Sequence, residues 1–442
     1  MKQVKLISVL LFTIITVLSC SKQHNQEALD AYFEGSLSKL NRSLTDVIVA
    51  DIFTPPVSSR IYAYSNIAAY EGIRFMDDKS LTLAGQLNDL DLLPLPNPNK
   101  QYYYPLCSMV AFTTTAKALV YNLEKVEEIQ NKFLDDVQDI GIDPEIYSNS
   151  VALGKEIGEK VLQRAKRDGY KTRTSLPRYN VNDDPERWRP TPPDYMEAIE
   201  PHWNTITPFV LKSASQFDSG TPTTFDTDKD SKFFKEAMEV YNVVKEIDSS
   251  KLEIAKFWDC NPNISNTNGH VMFFRQQISP GGHWVHIAAQ VLEKEKTKPF
   301  EAAKVMAKVS IGIADAFISC WDEKYQSNLI RPETYINKYM DSDWTPHLQT
   351  PAFPEHTSGH SVASACAATI LTHIFGDNYA FVDRTEVPFG LPIRSFSSFK
   401  QAAEEAAISR LYGGIHYRPA IELGVSQGKN VGAFVLENLN FN

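Results

Sequence analysis

The sequence predicts an all-α protein in which two helical bundles pack into one body. Three observations carry this expectation. Apolar residues recur at helical spacing over most of the chain, strand-like alternation is sparse, and one proline-rich stretch separates two helical halves. The chain has 442 residues, 43% of them hydrophobic, enough to bury a sizeable core.

Residues 1–19 open with Lys2 and Lys5, followed by an apolar run from Leu6 to Leu18 that is short for a bilayer span. The run ends in Val17-Leu18-Ser19-Cys20, which resembles the lipobox of bacterial lipoproteins, with Cys20 as the acylated residue. The expectation is an exported bacterial lipoprotein with signal peptide 1–19, tether 20–28 and a single domain 29–442. That domain would face the periplasm or the cell surface and meet the membrane only through its lipid.

The N-terminal half, 29–170, has a helical pattern from Leu29 that Pro55-Pro56 interrupts and that resumes over Arg60–Phe75. A loop at 90–105 carries Tyr102, Tyr103 and Tyr104, and helical periods follow at 106–123, 126–139 and 149–166. Residues 170–227 hold eight prolines and little sustained period, which predicts either a functional loop or a wrapped connection. In the C-terminal half, 228–442, helices are expected at 229–247, 250–258, 283–296, 298–323, Ser358–Phe375, Phe399–Leu411 and Pro419–Leu439.

Net charge is −10, which argues against nucleic acid as the main partner, because phosphate backbones are met by basic patches. Beyond Cys20, the cysteines are Cys107, Cys260, Cys320 and Cys366. Their spacing forms neither a disulfide framework nor a zinc pattern, and Cys320 and Cys366 read as buried free thiols. His283 and His286, three apart on a helix, offer half of a zinc site with no third ligand evident nearby. Oligomeric state is not legible.

Three stretches carry the chemistry. Lys324 and Arg331, seven apart with Pro332 following, can grip one anion, lysine as a point charge and arginine as a planar fork. Taken alone, such a pair more often decorates a solvated face. Ser358-Gly359-His360 opens a helix, where free backbone N–H groups and the helix dipole favour an anion. Simple capping by Thr357 or Ser358 would explain the same residues without a ligand. Ser409-Arg410 ends a helix at Gly413-Gly414, a break that lets Arg410 and His416 converge. Together the residues make a cage for a tetrahedral oxyanion with two imidazoles at it.

In order and spacing these stretches resemble the signature of the vanadium haloperoxidase and acid phosphatase superfamily, K-x6-R-P, P-S-G-H and S-R-x5-H, with Thr357 where proline is usual. The resemblance implies the all-α haloperoxidase-type fold and a vanadate cofactor. In that reading His416 bonds vanadium, while Lys324, Arg331, Arg410, Ser358 and Gly359 neutralise its oxygens. His360 is the acid–base residue that helps load hydrogen peroxide, and the substrate is a halide oxidised to hypohalous acid. Iodide is the favoured halide, with bromide as the second. The phosphatase alternative has His416 attack phosphorus and His360 protonate the leaving group. A further alternative is a lipoprotein that captures an oxyanion without catalysis. Ala420 stands where the phosphatases commonly carry an aspartate that orients the nucleophilic histidine, and Glu422 lies two residues on. Trp321 and Phe353 resemble the aromatic pair bordering the halide region of chloroperoxidases, and His356 lies near positions that vary among those enzymes. Asp259 and Asp322 are candidate carboxylates behind Lys324 or Arg410.

Overall fold

The computed structural model describes residues 25–442 apart from Asn263 and Gly269; the expected signal peptide and Cys20 lie outside the described residues. The N-terminal half is built from α1 (Ser36–Ala50), α2 (Pro55–Ile73), α3 (Tyr104–Lys117), α4 (Leu123–Ile140) and α5 (Pro144–Ala165). The C-terminal half contains α6 (Lys232–Lys245), α7 (Ser249–Phe257), α8 (Pro280–Lys294), α9 (Pro299–Ser327), α10 (Pro332–Tyr339), α11 (Gly359–Phe375), α12 (Phe399–Tyr412) and α13 (Arg418–Asn438). Among the described residues two antiparallel hairpins stand beside the helices: β1 (Ile264–Asn268) with β2 (Val271–Arg275), and β3 (Phe381–Asp383) with β4 (Arg394–Phe396).

The differences from the sequence reading are local. Pro55 starts α2 at its first turn rather than interrupting a helix, because proline there gives up an N–H that has no partner anyway. The helix expected over 106–123 stops at Lys117, and the next begins at Leu123, where the Asn122 side chain accepts from the Lys125 N–H at 3.2 Å. The α5 helix begins five residues earlier than its apolar period, where the Asp143 side chain caps Glu145 and Ile146. The short α10 was not expected.

Helix α9 is the spine. It is 29 residues long and buried on nearly every side, packing on α2 in one half and on α11 and α13 in the other. One hydrophobic core therefore runs from Leu29 to Phe441 through both halves. The α11–α13 pair is drawn close by small residues one turn apart. A Cβ on Gly428 would sit 2.2 Å from the Val362 carbonyl oxygen, and one on Gly432 would sit 2.9 Å from that of Cys366. Among the described residues no helix is long and apolar enough to cross a membrane. Cys107, Cys260, Cys320 and Cys366 are buried free thiols.

Buried polar groups hold the 170–227 connection against the helices. The Asp315 carboxylate on α9 accepts from the backbone N–H groups of Phe209, Val210 and Leu211 at 2.6, 2.7 and 3.0 Å. Asp168 receives Arg60 Nε at 2.7 Å and the Tyr64 hydroxyl at 2.8 Å. Removing the Asp315 carboxylate would orphan three buried N–H groups. Asp315→Ala is therefore expected to lower unfolding free energy by roughly 3 kcal/mol. Equilibrium denaturation checks this, and a loss below about 1 kcal/mol would contradict it.

Candidate active site

The motif residues come from three breaks between helices. The last turns of α9 carry Trp321 and Lys324, and Asn328, left-handed at φ 49°, turns the chain towards Arg331 just ahead of α10. The loop 351–358 then delivers Ser358, Gly359 and His360 to the start of α11. Helix α12 ends at Arg410 to Tyr412, and Gly414 at φ 78° reverses the chain to bring His416 in before α13. That position needs glycine twice over, because a Cβ there would also sit 2.8 Å from Val244. All seven expected cage residues converge on this end of the C-terminal half.

Lys324, Arg331, Arg410 and His416 are almost fully buried. Arg331 donates Nε to the Phe353 carbonyl at 2.9 Å and Nη1 to the Ile415 carbonyl at 2.8 Å, and Nη1 lies 3.1 Å from His416 Nε2. Arg410 donates Nη2 to the Trp258 carbonyl at 2.6 Å and to that of Ala255 at 3.2 Å. Lys324 sits differently from the simple cage expectation. Its ammonium donates to the carbonyls of Pro354 (3.1 Å), Glu355 (3.3 Å) and Thr357, so it holds the loop that carries Ser358. The Ser358 hydroxyl accepts from the Ser361 N–H at 3.3 Å as the cap of α11, and its own N–H donates to the Ala420 carbonyl at 3.0 Å.

Glu355 is the functional candidate that sequence reasoning missed. Its buried carboxylate accepts from His416 Nδ1 at 2.9 Å and from the Tyr417 N–H at 2.8 Å. With the Nδ1 proton directed at Glu355, the lone pair of His416 lies on Nε2, on the side of Arg331. The available signal was a carboxylate placed directly after the apolar, neutral run from Pro351 to Pro354 and before His356.

Burial dominates the electrostatics. It pulls the Lys324 ammonium down to about 7 and the Arg331 guanidinium to about 10, and it lowers Arg410. Burial pushes Glu355 up to about 7 against the pull of Arg331. His416 is held well below its usual value by burial and then by Arg331, Lys324 and Arg410. His360 is lowered by burial and then by Arg410, so the surroundings disfavour the charged form of both imidazoles. Among the buried side-chain atoms with no partner in the described residues are Arg331 Nη2 and His360 Nε2. Orphaned polar atoms beside crowded cations and a histidine lone pair are a donor set that fits a tetrahedral oxyanion such as vanadate.

The other expected residues divide. Trp321 and Phe353 meet, with ring centroids 5.0 Å apart, and both line a small cavity of about 30 Å³ with Gly359, His360 and His416. Asp259 is close enough for its charge to act on Arg410. Asp322 turns elsewhere: its carboxylate takes Asn204 Nδ2 at 2.9 Å and Gln326 Nε2 at 2.6 Å rather than Lys324 or Arg410. The reason is helical phase, since position 322 faces the connection while 321 faces the cavity and 324 the loop that carries Ser358. His356 also points away, to the Ser219 hydroxyl at 3.0 Å, and burial lowers it to about 4.

The crystal structure of a bacterial vanadium-dependent iodoperoxidase is 46% identical, with a TM-score of 0.87 over 92% of this chain and 96% of that one. The chain belongs to the vanadium-dependent haloperoxidases. The family model for the VCPO second helical-bundle domain matches residues 304–441, which contain every motif residue. Holo and apo structures of a bacterial vanadium-dependent chloroperoxidase share the fold, each at TM-score 0.66, with 15% and 14% identity. The holo structure aligns over 88% of this chain and 93% of that one, the apo structure over 87% and 94%. Among curated protein sequences none matches significantly. In this haloperoxidase Ala420 is buried and gives its carbonyl to Ser358, while Glu422 is paired on the surface with Arg418 at 3.8 Å. The carboxylate behind His416 comes instead from Glu355, across the loop. The absence of an aspartate at 420 therefore does not by itself separate vanadate chemistry from phosphate chemistry.

Proposed function

We propose that the chain oxidises halide with hydrogen peroxide, iodide foremost and bromide second, giving hypohalous acid and water. The balance is one peroxide, one halide and one proton to one hypohalous acid and one water. The observation that supports this best is the set of buried cations around the neutral His416 Nε2, with Glu355 behind it. Iodide is favoured because the bacterial iodoperoxidase is similar over nearly the whole of both chains.

Bound vanadate would supply the Lewis acid that activates peroxide. His416 Nε2 would ligate it. Arg331, Arg410, Ser358, the Gly359 N–H and Lys324 would balance its negative oxygens, Lys324 moving from or sharing its carbonyl partners. His360, neutral and with Nε2 unpartnered, would accept a proton from incoming peroxide and return it to the departing oxygen. Trp321 and Phe353 would present a polarisable wall to the halide. Attachment through Cys20, in an exported lipoprotein, is proposed on the leader sequence alone.

The test is to incubate vanadate-free protein with orthovanadate and to follow peroxide-dependent iodide and bromide oxidation beside p-nitrophenyl phosphate hydrolysis. Vanadate-dependent iodide oxidation is expected. Phosphate ester turnover without it would refute the proposal in favour of the phosphatase reading, and vanadate binding with neither activity would favour simple capture.

A further inference from the structure

Behind Trp258, outside the oxyanion cage, four buried groups from four segments meet. Cys260 follows α7, His283 lies in the first turn of α8, and Asp383 and Glu386 come from the end of β3 and the turn after it. His283 Nδ1 is 3.4 Å from Cys260 Sγ and 3.0 Å from Glu386 Oε1, and Sγ to Oε1 is 3.9 Å. On its other side, His283 Nε2 meets Asp383 Oδ2 at 2.6 Å.

We propose that Cys260, His283 and Glu386 form a binding site for a divalent transition-metal ion of the zinc type, separate from the oxyanion site. The donors are a thiol sulfur, an imidazole nitrogen and a carboxylate oxygen, the types such an ion takes together. Tetrahedral zinc bonds of about 2.0–2.3 Å place neighbouring donors about 3.3–3.8 Å apart. The three observed spacings bracket that range, so a few tenths of an ångström of adjustment suffices. Asp383 on the far nitrogen is the carboxylate that fixes the tautomer and the ring of a metal-binding histidine. The ring is also held by stacking on Trp258, with centroids 4.5 Å apart. His286, the partner the sequence offered, is not part of the set; the third donor is distant in sequence and reaches His283 through the β3–β4 hairpin. Cys260 also lines the cavity shared by His360 and His416, which places water within reach for a fourth position. This inference does not depend on the halide proposal.

The experiment uses the full chain, dialysed against chelator and titrated with Co2+ and then Zn2+, with no vanadate present. One equivalent of Co2+ is expected, with thiolate-to-cobalt absorption that Zn2+ displaces. Cys260→Ala should lose the absorption and at least tenfold in affinity, and Asp383→Asn should weaken binding by roughly 10–100-fold with unchanged far-UV circular dichroism. If Cys260→Ala fails to fold, Cys260→Ser and Glu386→Gln carry the same test. The proposal is overturned by an absence of stoichiometric uptake, by uptake without thiolate absorption, or by wild-type affinity in the folded variants.

Discussion

His416→Ala is expected to abolish vanadate retention and to lower halide oxidation by roughly three orders of magnitude or more. The reason lies in how one lone pair is presented. Nδ1 is committed to Glu355 at 2.9 Å, so Nε2 is free of a proton and sits beside Arg331. Arginine and lysine can balance charge around an oxyanion, but none of them can supply this bond. Equilibrium dialysis with vanadate, followed by metal analysis and an iodide assay, measures both effects. His360→Ala is the contrast, because it should keep vanadate while turnover slows. Vanadate held at wild-type affinity by His416→Ala would remove His416 from the ligand role.

The second large effect is expected at Glu355. Glu355→Gln keeps the shape but loses the negative charge that receives the Nδ1 proton, and vanadate affinity should fall by roughly 10–100-fold. A stability signature should accompany it. In the folded protein Glu355 is raised from 4.5 to about 7, so the unfolded chain releases this proton first as pH rises. The ordinary protein therefore loses stability between about pH 4.5 and 7 through this group, and the loss is complete above 7. In Glu355→Gln that contribution should vanish. Denaturation midpoints across this window measure it. An unchanged pH slope together with unchanged vanadate affinity would show that Glu355 is only a packing residue.

The motif residues were legible because each pairs a chemistry with a fixed local spacing: Lys324 with Arg331, Ser358 through His360, and Arg410 with His416. Helix breaks at Gly413 and Gly414 were legible for the same reason, as one left-handed residue there is a local demand. Glu355 was not, since its role is defined by a contact 61 residues away. Asp322 was misplaced because sequence proximity to Lys324 does not give helical phase. The long helices of each half followed from apolar periodicity, whereas the short α10 did not, and boundaries at Lys117, Leu123 and Pro144 were decided by caps and prolines. The β3–β4 hairpin was invisible for want of length, and with it the approach of Asp383 and Glu386 to His283.

The close seam between α11 and α13 has a consequence for how the halide region can change. Gly424 brings α13 to within 3.1 Å, as a virtual Cβ, of the Ser358 carbonyl, and Gly428 and Gly432 continue that backbone-to-backbone contact along the two helices. The frame carrying Ser358 and Gly359 is thus set largely by main chain against main chain, while Trp321 and Phe353 stand on α9 and on a loop. Selection acting on the two aromatic rings can reshape the anion-facing wall without re-registering the frame. On the proposed halide role of the two rings, this arrangement would let halide preference change by substitution there while the α11–α13 frame keeps its register.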